Sequence, residues 1–380
     1  MEKTRPDRFD DPDASDLLDR DLLANDPLAG DPLAGDSLAS GIPSSWREDR
    51  ESYLPDDDPF AEKGLVGDPL GGSDYELVYR IGGTSTGRSY LRVAGYRGAP
   101  VTLEVPESWD GMPVTDIEPR AFEGCETLVF LTVAGSVTCI GEAAFAECKA
   151  LREAELPWDL CEVADDLFLN CVSLERVDLS GNVTQIGDGS FYGCTSLWRI
   201  DASQAIESVG DHAFGKCERL RSFDFSLVDT IGMRAFEGCT SLEEVWVGHD
   251  YRLTGDLVIG VDAFMGCTSL KSVTIERPKV IELSHGSFAG CTALERASII
   301  GGIYEVPGSA FAGCSSLLSV KVSHCLQSIG EKAFFGCTSL ATFDVVFDPA
   351  FEDETYPMRP IDISDIEAGD DAFGGCPLAF

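Results

Sequence analysis

The chain has 380 residues, with 66 acidic against 28 basic side chains and a formal net charge of −38. A surface of that sign repels the phosphates of nucleic acids and of anionic membranes, so neither is expected as a partner. Basic proteins and divalent cations stay open, and acidity also serves solubility alone.

Residues 1–73 are rich in Asp, Pro, Gly and Ser and poor in apolar runs, which predicts a disordered, acidic, low-complexity tail. The start, MEKTRPDRFDDPDASDLLDR, holds no apolar leader core of about 7–15 residues. No run is long enough for a membrane span. The expectation is a cytoplasmic location without membrane insertion. The tail has its own period: Asp16, Asp21, Asp26, Asp31 and Asp36 are followed two residues later by Leu18, Leu23, Leu28, Leu33 and Leu38. A step of five is no helical stripe, and Pro27 and Pro32 forbid a long helix. Two readings stay open, a multivalent short-motif tail that gains avidity from repetition and a plain spacer.

From Tyr75 the texture changes. Tyr75 to Ile81, Ser89 to Ala94 and Val101 to Val105 read as strands between turns at Gly82-Gly83, Gly95 and Gly98. Residues 74–116 are assigned to an N-terminal β cap, because a repeat array needs an end that tolerates water. Leu103 and Val105 supply the strand of a coil ahead of the first repeat.

Residues 117–380 repeat. Phe and Cys recur three apart, from Phe122/Cys125 through Phe214/Cys217 to Phe373/Cys376, mostly at steps of 22 to 24 residues. A fixed period of this size means a solenoid. Three residues after ten of the eleven repeat Cys comes Leu, then an apolar pair spaced by two, as in Leu270, Val273 and Ile275, which reads as a short strand with one buried face. About five residues before each Phe sits Ile or Val, usually followed by Gly at a turn. One coil thus supplies a strand, a return segment and a Phe plug, and neighbouring coils bury each other's edges.

The stretch VAGYRGAPVTLEVPESWDGMPVTDIEPRAFEGC (Val93 to Cys125), followed by repeated I-G-x-x-A-F-x-G-C-x-S-L-x-x-V-x-V, resembles the BspA-like leucine-rich repeat family over about residues 75–380. The resemblance implies a right-handed leucine-rich repeat solenoid. Its shape would be an alpha/beta, horseshoe-like curve of short parallel strands joined by turns or 3-10 segments. It also implies a binding or adhesion role without catalysis. Members are typically bacterial and often at the cell surface, which makes a cell-surface adhesin the alternative reading.

Two steps are long. The 28 residues from Cys239 to Cys267 carry His249, Tyr251 and Arg252, and the 39 from Cys337 to Cys376 carry Phe347, Phe351, Tyr356, Met358 and Arg359. Both insertions follow the strand, so both are expected on one edge of the solenoid, where binding loops gather. The second reads equally as a C-terminal cap.

Catalysis finds no support in the spacing of His212, His249, His285 and His324, and no phosphate-binding Gly loop is present. His212 and His285 are expected to face solvent. No enzyme and no cofactor are predicted. The periodic Cys reads as a buried thiol, while Cys139 and Cys161, on adjacent coils, are a candidate disulfide. The residue between the two apolar strand positions points outward. Down the coils it is Glu155, Asp178, Asp201, Asp224 and then Trp246. Four acids are therefore expected to stack on adjacent strands about 4.8 Å apart, with Arg176 and Arg199 beside them. This row is either a solvated, self-neutralised array or a docking strip with Trp246 as anchor. The candidate partner-binding residues are Glu155, Asp178, Asp201, Asp224, Trp246, Tyr251, Arg252 and Tyr356. The function expected is a non-enzymatic protein-binding scaffold whose protein partner presents a basic segment. A cation-binding structural protein is a further alternative.

Overall fold

A computed structural model describes residues 65–67, 74–83, 88–179, 181–202, 206–248, 255–347 and 366–378. All of them lie in the unit Pro59–Phe380. Apart from Leu65–Gly67, the expected tail falls outside the described residues.

The alternation in each repeat does produce a short strand, and equivalent strands of successive coils lie parallel and in register. On one side, here the front ladder, Thr102–Val105 pairs with Phe130–Val133, followed by Glu153–Glu155, Arg176–Leu179 and Arg199–Ala202. A second run takes Glu244–Val247, Ser272–Leu283, Arg296–Gly302, Ser319–Ser323 and Thr342–Val346. The Ile/Val before each Phe forms a return ladder. It runs from Glu162–Val163 through Gln185–Ile186, Ser208–Val209, Thr230–Ile231 and Leu257–Ile259 to Ile281–Leu283. Shorter runs precede it, at Met112–Ile117 with Cys139–Ile140, and follow it, at Glu305–Val306 with Ser328–Ile329 and Glu367–Ala368. The result is a parallel-strand solenoid of about eleven turns. Among the described residues there is no helix, and of the turns or 3-10 segments that the resemblance implies between strands, the returns are turns. The turns win because the segment from return strand to Cys is short and bends twice through left-handed residues. Examples are Arg120 (φ 60°) with Gly124 (φ 72°) and His212 (φ 55°) with Lys216 (φ 61°).

At the N-terminal end, Tyr75–Gly83 pairs antiparallel with both Leu65–Gly67 and Ser89–Gly98, and Ser89–Gly98 lies parallel to Met112–Ile117. Buried Tyr79 stacks on Trp109 at 5.0 Å.

The core is a column. From Phe122 to Phe373 the repeat phenylalanines stack at centroid distances of 5.1 to 5.8 Å, and Tyr96 closes the N-terminal end on Phe122. Phe214 and Leu220 are 0 % exposed. The Cys column runs alongside. From Cys148 onward each thiol of the column donates to the carbonyl of the Phe one coil back, as Cys217 Sγ does to Phe191 O (3.2 Å) and Cys337 Sγ to Phe311 O (3.1 Å). A small side chain with a weak donor suits that position, where a carbonyl would otherwise be buried without a second partner. Burial pushes the thiols of Cys171, Cys194, Cys217 and Cys239 far above the ordinary range, so they are not nucleophiles in the folded chain.

Candidate functional site: two acidic rows

Parallel register brings three of the four expected front acids together. Glu155 pairs with Asp178, and Asp178 with Asp201. Asp224 does not join them, because residues 221–225 form no strand. Two local features explain the interruption. The inward positions of this coil are Phe223 and Phe225, which crowd against each other, Phe214 and Phe236 at tilted or edge-on angles and 4.9 to 5.3 Å. The bend after them is also one residue shorter than in the preceding coil (Phe225 to Val228 against Ala202 to Ile206), and it closes by a turn from Val228 N to Phe225 O. Asp224 turns its carboxylate to Ser226 N at 2.9 Å instead. Phe343, whose inward neighbour is Val345 rather than a second Phe, keeps its strand.

The front acids are largely compensated. Arg176 Nε and Arg199 Nε both donate to Asp201, at 2.6 and 2.5 Å, and Arg176 lies 4.0 Å from Asp178. The bond to Asp201 raises the pKa of Arg176.

The aromatic side chains of this face are less concealed. Trp246, on Glu244–Val247, is level with Thr274 and 52 % exposed, its indole lying over Gly248, where any Cβ would collide. Trp198, 45 % exposed, precedes the strand of Asp201 and carries the Arg199 guanidinium 6.0 Å from its ring. Trp158, 70 % exposed, follows the strand of Glu155 and lines a cavity of about 340 Å³ with Thr132, Glu155 and Asp178. Sequence reasoning found Trp246 and missed the other two, because they sit just outside the strand positions that were read down the coils.

A second acidic row lies on the return side and was not anticipated. Asp165 Oδ1 accepts from Asp188 N (2.8 Å), Asp188 Oδ1 from Asp211 N (2.7 Å), and Asp211 Oδ1 from Met233 N (2.7 Å). Each carboxylate caps the turn of the next coil. With Glu142 and Glu162 they line a groove of about 590 Å³ that includes no Lys or Arg. Partial burial raises the pKa of Asp188, and Asp165 and Asp211 add to the rise against the opposing hydrogen bond from Asp211 N. The signal was visible as Asp two residues after successive return strands, a position treated only as a turn.

Other sequence expectations resolve as follows. Tyr251, Arg252 and Tyr356, and with them most of both insertions, lie outside the described residues. His285 is exposed as expected, but His212 is buried, edge-on to Tyr192 at 6.0 Å. The left-handed residue it occupies points into the neighbouring coil rather than to solvent, and burial lowers its pKa. Cys139 and Cys161 are exposed free thiols, not a disulfide. They are offset by one residue, since Cys161 O accepts from Thr184 N while Glu162, the next residue, is level with Gln185. Among the described residues no group of three His, Cys, Asp or Glu side chains is arranged to hold a metal ion.

The sequence model of the BspA type leucine rich repeat region matches residues 115–243 and 256–352 in six copies. The chain belongs to the BspA-type leucine-rich repeat family. The chain is also similar to solved structures of leucine-rich repeat proteins from bacteria. One from Bacteroides ovatus is 22 % identical, with 79 % of this chain and 91 % of that one covered and a TM-score of 0.40. A leucine rich cell surface protein from Faecalibacterium prausnitzii is 17 % identical, with 76 % and 97 % covered and a TM-score of 0.32. The pneumococcal vaccine antigen PcpA is 16 % identical, with 74 % and 85 % covered and a TM-score of 0.41. Among curated proteins none matches the chain. BspA-type repeats are scaffolds that present a surface, and the surface of this one is defined by the two acidic rows and the exposed tryptophans.

Proposed function

We propose that this BspA-type chain is a non-enzymatic scaffold that binds a protein partner through its front face. The observation that carries the reading is the exposure of Trp158, Trp198 and Trp246 along the two runs of the front ladder. Exposing an indole forfeits burial, and Trp is among the residues that dominate binding energy at protein interfaces. The rows of carboxylates favour a partner with a basic segment, drawn in by the net charge of −38. The charge supplies approach and the tryptophans supply contact area.

The test immobilises the full chain and compares the proteins captured from a lysate of the source cells. Trp158→Ala combined with Trp246→Ala is expected to lose captured bands that survive Asp188→Asn on the return side. Identical capture by all three proteins would remove the front face as the binding surface. Capture that falls with added salt supports the basic segment, and capture indifferent to salt excludes it.

A further inference from the structure

Among the described residues the front ladder is interrupted at one level. Trp198 N donates to Glu175 O (3.1 Å), and Glu243 N to Arg221 O (3.2 Å), but the equivalent bond from Arg221 N to Trp198 O is not made. The strand Arg199–Ala202 therefore pairs on one edge, with Arg176–Leu179, and presents its other edge to a gap. Behind that edge the core is open. Ala202 is exposed and Ile200 and Phe223 are only part-buried, whereas the equivalent Val177, Leu179, Val245 and Val247 are at most 1 % exposed. These residues, with Ile206, Ser222 and Asp224, line a cavity of about 320 Å³.

We infer that this gap is a docking cleft for one extended segment of a partner protein, carrying a large apolar side chain next to a lysine. The inference rests on the protein-binding reading above and names the segment it takes. An edge strand with unpaired N–H and C=O groups is a template for strand addition, where backbone bonds give affinity and side-chain pockets give specificity. The apolar walls of the cavity select the large apolar side chain. The lip selects the lysine. Arg199 is engaged by Asp201, and Glu243 is paired with Lys271 at 2.9 Å, which lowers its pKa with a smaller pull from Arg221. The exposed carboxylate of Asp224 accepts only from a backbone N–H and has no cation beside it among the described residues. Trp198 and Trp246 flank the gap on either side and are available to cover the segment. The chain's own acidic residues 1–73 are the wrong occupant on charge, as is a second copy of this chain.

The test uses a fluorescein-labelled peptide of alternating lysine and leucine, about six residues long, titrated against the full chain by fluorescence anisotropy. Saturable binding is expected, weakened about tenfold or more by Ala202→Trp, which fills the cleft from an already exposed position. Asp224→Asn should weaken it by several-fold as well. A peptide with alternate amides N-methylated, and one with glutamate for lysine, should both bind at least about tenfold more weakly. Circular dichroism checks that the Ala202→Trp protein is folded. No binding to the natural chain, equal binding to folded Ala202→Trp, or equal binding of the N-methylated peptide overturns the cleft. So does displacement of the peptide by residues 1–73 supplied separately, or by a second copy as protein concentration rises. If the peptide fails while capture still depends on Trp158 and Trp246, the cleft is wrong and the scaffold reading stands. If both fail, both fall.

Discussion

The two ladders of this solenoid are interrupted at different levels. The front ladder is lost around residues 221–225, where the return ladder is intact from Ser208–Val209 through Thr230–Ile231 to Leu257–Ile259. The return ladder is lost between Cys139–Ile140 and Glu162–Val163, and again between Leu283 and Glu305, where the front strands pair in register. Every step between described coils thus keeps at least one ladder, and the phenylalanine stack runs through all of them. A coil that is pinned at its return strand and its Phe tolerates an open front. The front can then be shaped locally by side-chain volume and bend length, without loss of the array. In a one-dimensional array each coil's stability depends on its neighbours, so a step with neither ladder would be the weak point of the whole chain.

The largest effect expected from breaking this arrangement is at Phe214, which serves a coil pair where only the return ladder remains. Phe214→Ala should cost about 3–5 kcal/mol by transfer and cavity terms. Hydrogen exchange should rise first in the front amides of Arg199–Ala202, while the Val209 to Ile231 pairing stays protected. Uniform loss of protection along the array would show that the ladders do not act separately. Arg277 tests the return side. It is 1 % exposed, donates to Asp229 Oδ1 at 2.9 Å and to Val228 O, and so joins coils on either side of the one with the long step. Arg277→Ala should cost about 3 kcal/mol, toward the lower end for a broken buried pair, because Asp229 stays within reach of water. Urea denaturation measures it, and a cost near zero would mean that strand pairing alone holds that level.

The period, the core column and the parallel strands were legible in the sequence because they rest on apolar spacing, which repeats. What was illegible depends on small departures from the repeat. Asp224 occupies the same sequence position as Asp201, and only the volume of Phe223 and Phe225 and one missing residue in the bend take it off the strand. The left-handed residue before Ala-Phe is Arg120 in one coil, Ala143 in another and His212 in a third, so residue type gives no signal for it. His212 was placed in solvent for that reason. Trp158 and Trp198 flank strands rather than lie in them, and the return-side carboxylates were hidden as turn residues because their hydrogen bonds cross from coil to coil.

The smallest effects separate the two acidic rows, and they carry opposite signs. On the front, Asp201 accepts from two arginines that are about half exposed. Asp201→Asn should cost up to about 1 kcal/mol, and the loss should shrink in high salt. On the return side, Asp188 faces Asp165 and Asp211, and its pKa is raised above the ordinary 3.8. A raised carboxylate pKa means that the fold favours the protonated form. The stability this group contributes is complete below pH 3.8 and is lost as pH rises through the raised value. Asp188→Asn keeps the Oδ1 acceptor for Asp211 N and removes the charge. It should therefore stabilise the chain near neutrality by less than about 0.5 kcal/mol, and the advantage should vanish in acid below the ordinary carboxylate value. Melting temperatures of the two variants and the natural chain, followed from neutral to acid pH at low and high salt, measure both signs. If Asp188→Asn destabilises at neutral pH, its carboxylate is held by an attraction that outweighs its neighbours, and the return row is compensated like the front one.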